Sequence, residues 1–95
     1  MEVFFHLEYK TSYGEELYVN VVGDNKKYIM HTLDGLHWEA QLKLKGEGAV
    51  LNYFYSVETA GGLRAVEWTA ETHRLELSAA HAKCYHVYDR WIDIP

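Results

Sequence analysis

The run His37-Trp38-Glu39-Ala40-Gln41-Leu42-Lys43-Leu44-Lys45 decides the fold class. Trp38, Ala40, Leu42 and Leu44 alternate with His37, Glu39, Gln41, Lys43 and Lys45. Side chains repeating with period two point to opposite faces of an extended strand, whereas a helix would scatter the same apolar residues around its circumference. One face of this strand must pack on a core and the other must meet water.

The alternation extends to the rest of the chain. In residues 3–10, Val3, Phe5, Leu7 and Tyr9 share one face, and Phe4, His6, Glu8 and Lys10 the other. Residues 28–33 read as a strand running into Asp34-Gly35, a pair that suits a two-residue hairpin turn because both tolerate positive φ. Further strands are predicted at 16–22, 50–58, 63–69, 74–77 and 85–94, separated by turn chemistry at Lys45-Gly46-Glu47-Gly48 and Ala60-Gly61-Gly62. Residues 70–73 read as a loop, and 78–83 hold one helical turn at most. About seven to eight short strands predict an all-β fold, an antiparallel immunoglobulin-like β-sandwich, with a barrel as the alternative.

Ninety-five residues, 1–95, make one domain with room for a single two-layer core. With 48% hydrophobic and 24% charged residues and a single proline, the composition is that of a folded globular protein. Fourteen acidic against nine basic residues give a net charge of −5, which repels phosphate backbones and argues against nucleic acid as a partner. A neutral ligand fits better. Cys84 is the one cysteine, so no intrachain disulfide forms, and it reads as a small buried residue of the last strand. Charged residues interrupt every apolar run well short of the ~20 residues a membrane helix needs, and alternation starting at Val3 leaves no room for a signal peptide. A cytoplasmic protein without membrane partners is expected.

Three aromatic landmarks lie along this pattern: Tyr13-Gly14-Glu15, then Val66-Glu67-Trp68 followed by His73-Arg74, then Asp89-Arg90-Trp91. In type, order and spacing they resemble the family 20 starch-binding carbohydrate-binding module, and the resemblance runs from Val3 to Trp91. It implies the starch-binding module's sandwich, with sugar sites on loops and exposed strand faces. The ligand explains the aromatics. A glucose ring carries hydroxyls at its edge and C–H patches on its faces, and those faces lie flat on an indole or phenol, removing apolar area worth roughly 25 cal/mol per Å² from water. Two stacked rings and a few hydrogen bonds would give roughly −4 to −7 kcal/mol, a millimolar to tens-of-micromolar affinity.

The family typically has two such sites. For the first, the resemblance implies Trp68 and a second aromatic following Val22-Gly23, for which Tyr28 is the substitute in the shortened segment Val22-Gly23-Asp24-Asn25-Lys26-Lys27-Tyr28. Phe54 follows Tyr53 where the family has Lys, which removes a hydroxyl donor, while His73, standing before Arg74 where the family has Asn, is expected to bind the sugar by donating to or accepting from a hydroxyl. The second site implies Tyr13, but the loop that would supply its partner ring is reduced to Leu33-Asp34-Gly35-Leu36-His37. Asp34 and His37 remain to line it.

Bland readings stand beside these. Aromatics in β chains are usually core, and Trp38 and Trp91 alternate with polar neighbours. Trp68 shares its parity with Val66 and Arg64, while Tyr13 sits in a turn where a large ring has less structural excuse. The six histidines show no metal-ligand spacing, and no metal or cofactor is expected. Acid pairs such as Glu15-Glu16 or Glu67-Glu71 read as solvated surface, since a glycosidase needs two carboxylates held across a cleft.

These readings converge on a non-catalytic module that binds α-1,4-glucan or maltooligosaccharide and tethers the catalytic domain of its parent chain to substrate. The resemblance, with Met1 directly before the first strand, implies a disproportionating-type 4-α-glucanotransferase as parent. Two alternatives stay open: a degenerate sandwich serving as an interaction or spacing module, and a small enzyme of unknown type.

Overall fold

The computed structural model describes residues 2–23, 26–43, 49–67, 72–77 and 84–92. These contain β1 (Glu2–Glu8), β2 (Glu16–Val21), β3 (Lys26–Ile29), β4 (His31–Thr32), β5 (His37–Lys43), β6 (Ala49–Thr59), β7 (Gly62–Val66), β8 (His73–Leu77) and β9 (Cys84–Arg90), and no helix. One sheet has the order β4-β5-β1-β9. The other runs β3-β2-β6-β7, with β8 also on β6. Strand β6 is long enough to pair with β7 over residues 56–59 and with β8 over residues 49–53. All pairings are antiparallel except β1 with β9, which run parallel. The fold is an all-β sandwich of nine described strands.

The alternation sorts side chains as the strand period requires. Val3, Phe5 and Leu7 of β1 and Trp38, Ala40 and Leu42 of β5 are buried, while His37, Glu39, Gln41 and Lys43 are exposed. Facing them, Leu17, Val19 and Val21 of β2 and Leu51, Tyr53, Tyr55 and Val57 of β6 complete the core. Phe5 and Tyr53 meet across the two sheets edge to face, with ring centres 4.8 Å apart. Trp38 keeps its indole N–H satisfied by donating to the Tyr9 carbonyl at 3.1 Å.

Residues 28–33 do not form one strand. β3 pairs with β2 in the second sheet, β4 pairs with β5 in the first, and buried Met30 joins them, its N–H donating to the Leu17 carbonyl at 2.8 Å. The chain changes sheets at that residue. The link from β4 to β5 is also longer than a two-residue hairpin turn, covering residues 33–36. Asp34 Oδ1 accepts the N–H groups of Leu36 and His37, each at 2.8 Å, and Gly35 takes a φ of 75° that a Cβ would disfavour.

Cys84 is exposed at the start of β9, contrary to the buried position expected for it. Trp91 is half-buried and packs on Tyr9, ring centres 4.4 Å apart. Expectations for residues 44–48, 68–71, 78–83 and 93–94 lie outside the described residues. Among the described residues no helix is long and apolar enough to cross a membrane.

Candidate functional site

The most polar part of the interior lies where β6, β8 and β9 converge. Strand parity turns Tyr53 and Tyr55 inward, and both hydroxyls donate to Asp89 Oδ2, at 2.6 and 2.7 Å. Asp89 reaches them because alternate residues of β9 face the core. His73 opens β8 directly opposite Tyr53 and stacks on its ring at 5.2 Å. Its Nε2 is 2.8 Å from Glu67 Oε2, and its Nδ1 is 3.4 Å from Asp89 Oδ1.

Glu67 is 1% exposed, against the solvated position its composition suggests. A buried carboxylate costs several kcal/mol unless it is paired and fully hydrogen-bonded. Here it accepts the backbone N–H groups of Tyr55 and Ile92, each at 2.6 Å, besides facing His73. One side chain therefore joins β6, β8 and the segment after β9, bridging the two sheets. Burial pulls the His73 pKa down, but the Glu67 hydrogen bond and the Asp89 and Glu67 charges outweigh it and hold it above the usual histidine range. Burial first, and Asp89 second, push the Tyr53 and Tyr55 hydroxyls far above the ordinary phenol range, so both stay protonated donors.

Outside this cluster, the second sheet presents an open face. Lys27, Asn20 and Phe54 form one cross-strand row on β3, β2 and β6. With Val22 and Gly23 from the β2–β3 connection and Lys26 at the start of β3 they line a groove of about 320 Å³. Asn20 is fixed by donating to Ser56 Oγ at 2.8 Å, and Lys27 Nζ lies 2.7 Å from the Glu58 carboxylate. The row offers one apolar ring beside an amide and an ammonium, a combination suited to a neutral hydroxylated ligand.

Tyr13 caps a turn at one end of the sandwich and is fully exposed. Gly14, at φ 90°, lets the chain reverse, and the Glu15 carboxylate anchors the turn by accepting from the Ser12 N–H and pairing with Arg64 of β7. The adjoining segment is tied to the β4–β5 link, with Tyr9 N–H donating to the Leu36 carbonyl and Thr11 N–H to that of Gly35. Asp34 and His37, 2.6 Å apart, line a shallow groove of about 280 Å³ there, with exposed Leu33 beside them. The Asp34 hydrogen bond and charge raise the His37 pKa.

Of the residues singled out from the sequence, Trp68 lies outside the described residues. Tyr28 is 36% exposed on edge strand β3, opposite Val19. His73 is enclosed, with both ring nitrogens directed at carboxylates and a side-chain exposure of 12%. Two strands, β2 and β6, separate Tyr28 from His73, so the structure does not bring these two together. Sequence reading missed the roles of Glu67 and Asp89. The available signal was that both belong to landmarks whose aromatic neighbours drew the attention instead. Among the described residues no three His, Cys, Asp or Glu side chains form a group able to hold a metal ion.

No protein-family model matches the chain, and no curated protein does. Solved structures do. A family 15 glucoamylase from Hypocrea jecorina is 18% identical with a TM-score of 0.82, the match covering 96% of this chain and 17% of that one. The glucoamylase of Hormoconis resinae is 23% identical with a TM-score of 0.75, over 98% of this chain and 17% of that one. A Gamma-CGTase from the alkalophilic Bacillus clarkii is 15% identical with a TM-score of 0.67, over 96% and 15%. These likenesses are of fold. The chain spans no more than 17% of the length of the chains it matches.

Proposed function

We propose that this chain is a non-catalytic α-glucan-binding module of the family 20 starch-binding type, which tethers a parent enzyme to starch, glycogen or maltooligosaccharide. One observation carries the reading: nearly the whole chain, 96%, matches a segment making up 17% of a glucoamylase, as an appended module would. The ordered landmarks around Tyr13, Trp68 and Trp91 support it from the sequence side. Trp68 is the principal stacking ring, Tyr28 its companion, and Tyr13 a second, weaker platform. His73 serves the first site by holding Glu67, the residue directly before Trp68. The parent is a 4-α-glucanotransferase, following the resemblance. Tethering raises local substrate concentration without any chemistry in the module.

Phe54 favours a second reading. It stands in the open row with Asn20 where the resemblance calls for a hydroxyl-donating Lys, as a module that has given up sugar binding for intramolecular contacts would have it. Electrophoresis through gels containing amylopectin separates the two. Retardation relieved by free maltoheptaose, with no reducing sugar released, is expected of the glucan-binding module. Unretarded migration contradicts it.

A further inference from the structure

The outer face of the first sheet carries an ordered set of rings that the reading above does not use. Parallel pairing of β1 with β9 sets His6 beside Tyr88 and Phe4 beside His86. The four rings stack, Phe4 on His86 at 4.7 Å and His6 on Tyr88 at 4.4 Å, with the paired planes within 9° of parallel. His6 Nε2 lies 3.0 Å from His86 Nδ1, and His6 Nδ1 lies 3.4 Å from Glu39. Tyr88 terminates this stack on edge strand β9, with one face held by His6 and 76% of the residue exposed.

Register completes the pattern. Across β5, β1 and β9 the residues form two rows, Glu39–His6–Tyr88 and His37–Glu8–Arg90. They line a groove of about 580 Å³. Strand spacing of about 4.8 Å and a two-residue rise of about 6.7 Å make the array roughly 10 by 7 Å. That footprint accommodates one to two sugar rings. One row ends in an aromatic ring already immobilised by its neighbours, so stacking a ligand on it costs little further side-chain entropy. The other row alternates His, Glu and Arg, which offers donors and acceptors to ring hydroxyls while presenting no single sign of charge to select an ion.

We infer that the groove bounded by Tyr88, Glu8 and Arg90 is a further carbohydrate site, on the sheet opposite the one carrying Tyr28, which takes an α-glucan segment against the Tyr88 ring. The identity of the sugar rests on the glucan-binding reading. The site itself rests on the stacked rings and the two rows. A module with sites on opposite sheets engages two glucan segments at once, and avidity for polymer then exceeds affinity for a short oligosaccharide.

The test is maltoheptaose titration of the whole chain followed by amide NMR and calorimetry, in wild type and in the Tyr88→Ala, Tyr88→Trp and Trp68→Ala variants. The inference expects resonances of His6, Tyr88 and Arg90 to move in wild type and in Trp68→Ala. At this groove Tyr88→Ala should weaken binding about three- to tenfold and Tyr88→Trp should retain it. Still resonances at Tyr88 and Arg90 with saturating maltoheptaose, together with loss of binding in Trp68→Ala, overturn the inference and leave the glucan reading standing. Binding lost in Tyr88→Ala but kept in Trp68→Ala supports the inference and overturns the assignment of Trp68. Absence of maltoheptaose binding by wild type overturns both.

Discussion

The carboxylate of Glu67 lies 2.8 Å from the imidazole Nε2 of His73 inside the sandwich, and it holds the N–H groups of Tyr55 and Ile92 at the same time. This joins the strand that leads into Trp68 to three separate segments. The fold is anchored at the point where the proposed sugar ring begins.

Replacing Glu67 by Ala should leave two backbone donors and the His73 ring without their acceptor. Breaking a buried charged network from one side costs about 3–5 kcal/mol, so the urea midpoint should drop sharply. Glu67→Gln keeps an oxygen that accepts from one N–H and should lose less. A Glu67→Ala protein within about 1 kcal/mol of wild type would contradict the anchoring role.

Stability should also depend on pH through His73. Its pKa in the folded protein lies above the value of 6.5 expected in the unfolded chain. The folded state therefore binds this proton more tightly, and the resulting stabilisation is complete below the unfolded value and lost as pH rises through the folded one. Urea midpoints should fall as pH is raised from about 6 towards 9, and His73→Gln should flatten that slope. The exposed His37–Asp34 pair acts in the same direction, so His37→Gln should keep most of the slope. A wild-type midpoint that rises with pH over this range would contradict the assignment.

Much of this fold was legible in local alternation. In β1 and β5 the period-two pattern separates Val3, Phe5, Trp38 and Leu42 from their polar neighbours, and burial follows it. The sheet change at Met30 was not legible, because residues on either side keep the same alternation whether they pair with β2 or β5. Glu67 and Asp89 escaped for a different reason. A buried carboxylate is tolerable only with its partners, and most of them, Tyr55 and Ile92 for Glu67 and Tyr53 and Tyr55 for Asp89, come from distant parts of the sequence. Tyr13 was visible as an exposed turn aromatic, since Gly14 beside it signals the reversal that puts the ring in water.

The central claim, that this module binds α-glucan by stacking on Trp68, is tested most directly by calorimetric titration with β-cyclodextrin, whose curved shape mimics an α-1,4-glucan turn. Trp68→Ala removes the largest ring of the proposed first site and should weaken binding by roughly 1–3 kcal/mol, five- to more than a hundredfold. Tyr13→Ala should cost less, because the β4–β5 link supplies Asp34 there, and the start of β5 His37, rather than a second phenol or indole. Thermal unfolding matching wild type must accompany each variant, so that lost affinity is not lost fold. Millimolar to tens-of-micromolar wild-type binding with a strong Trp68 effect is the predicted result, and unchanged affinity in a folded Trp68→Ala protein would contradict it.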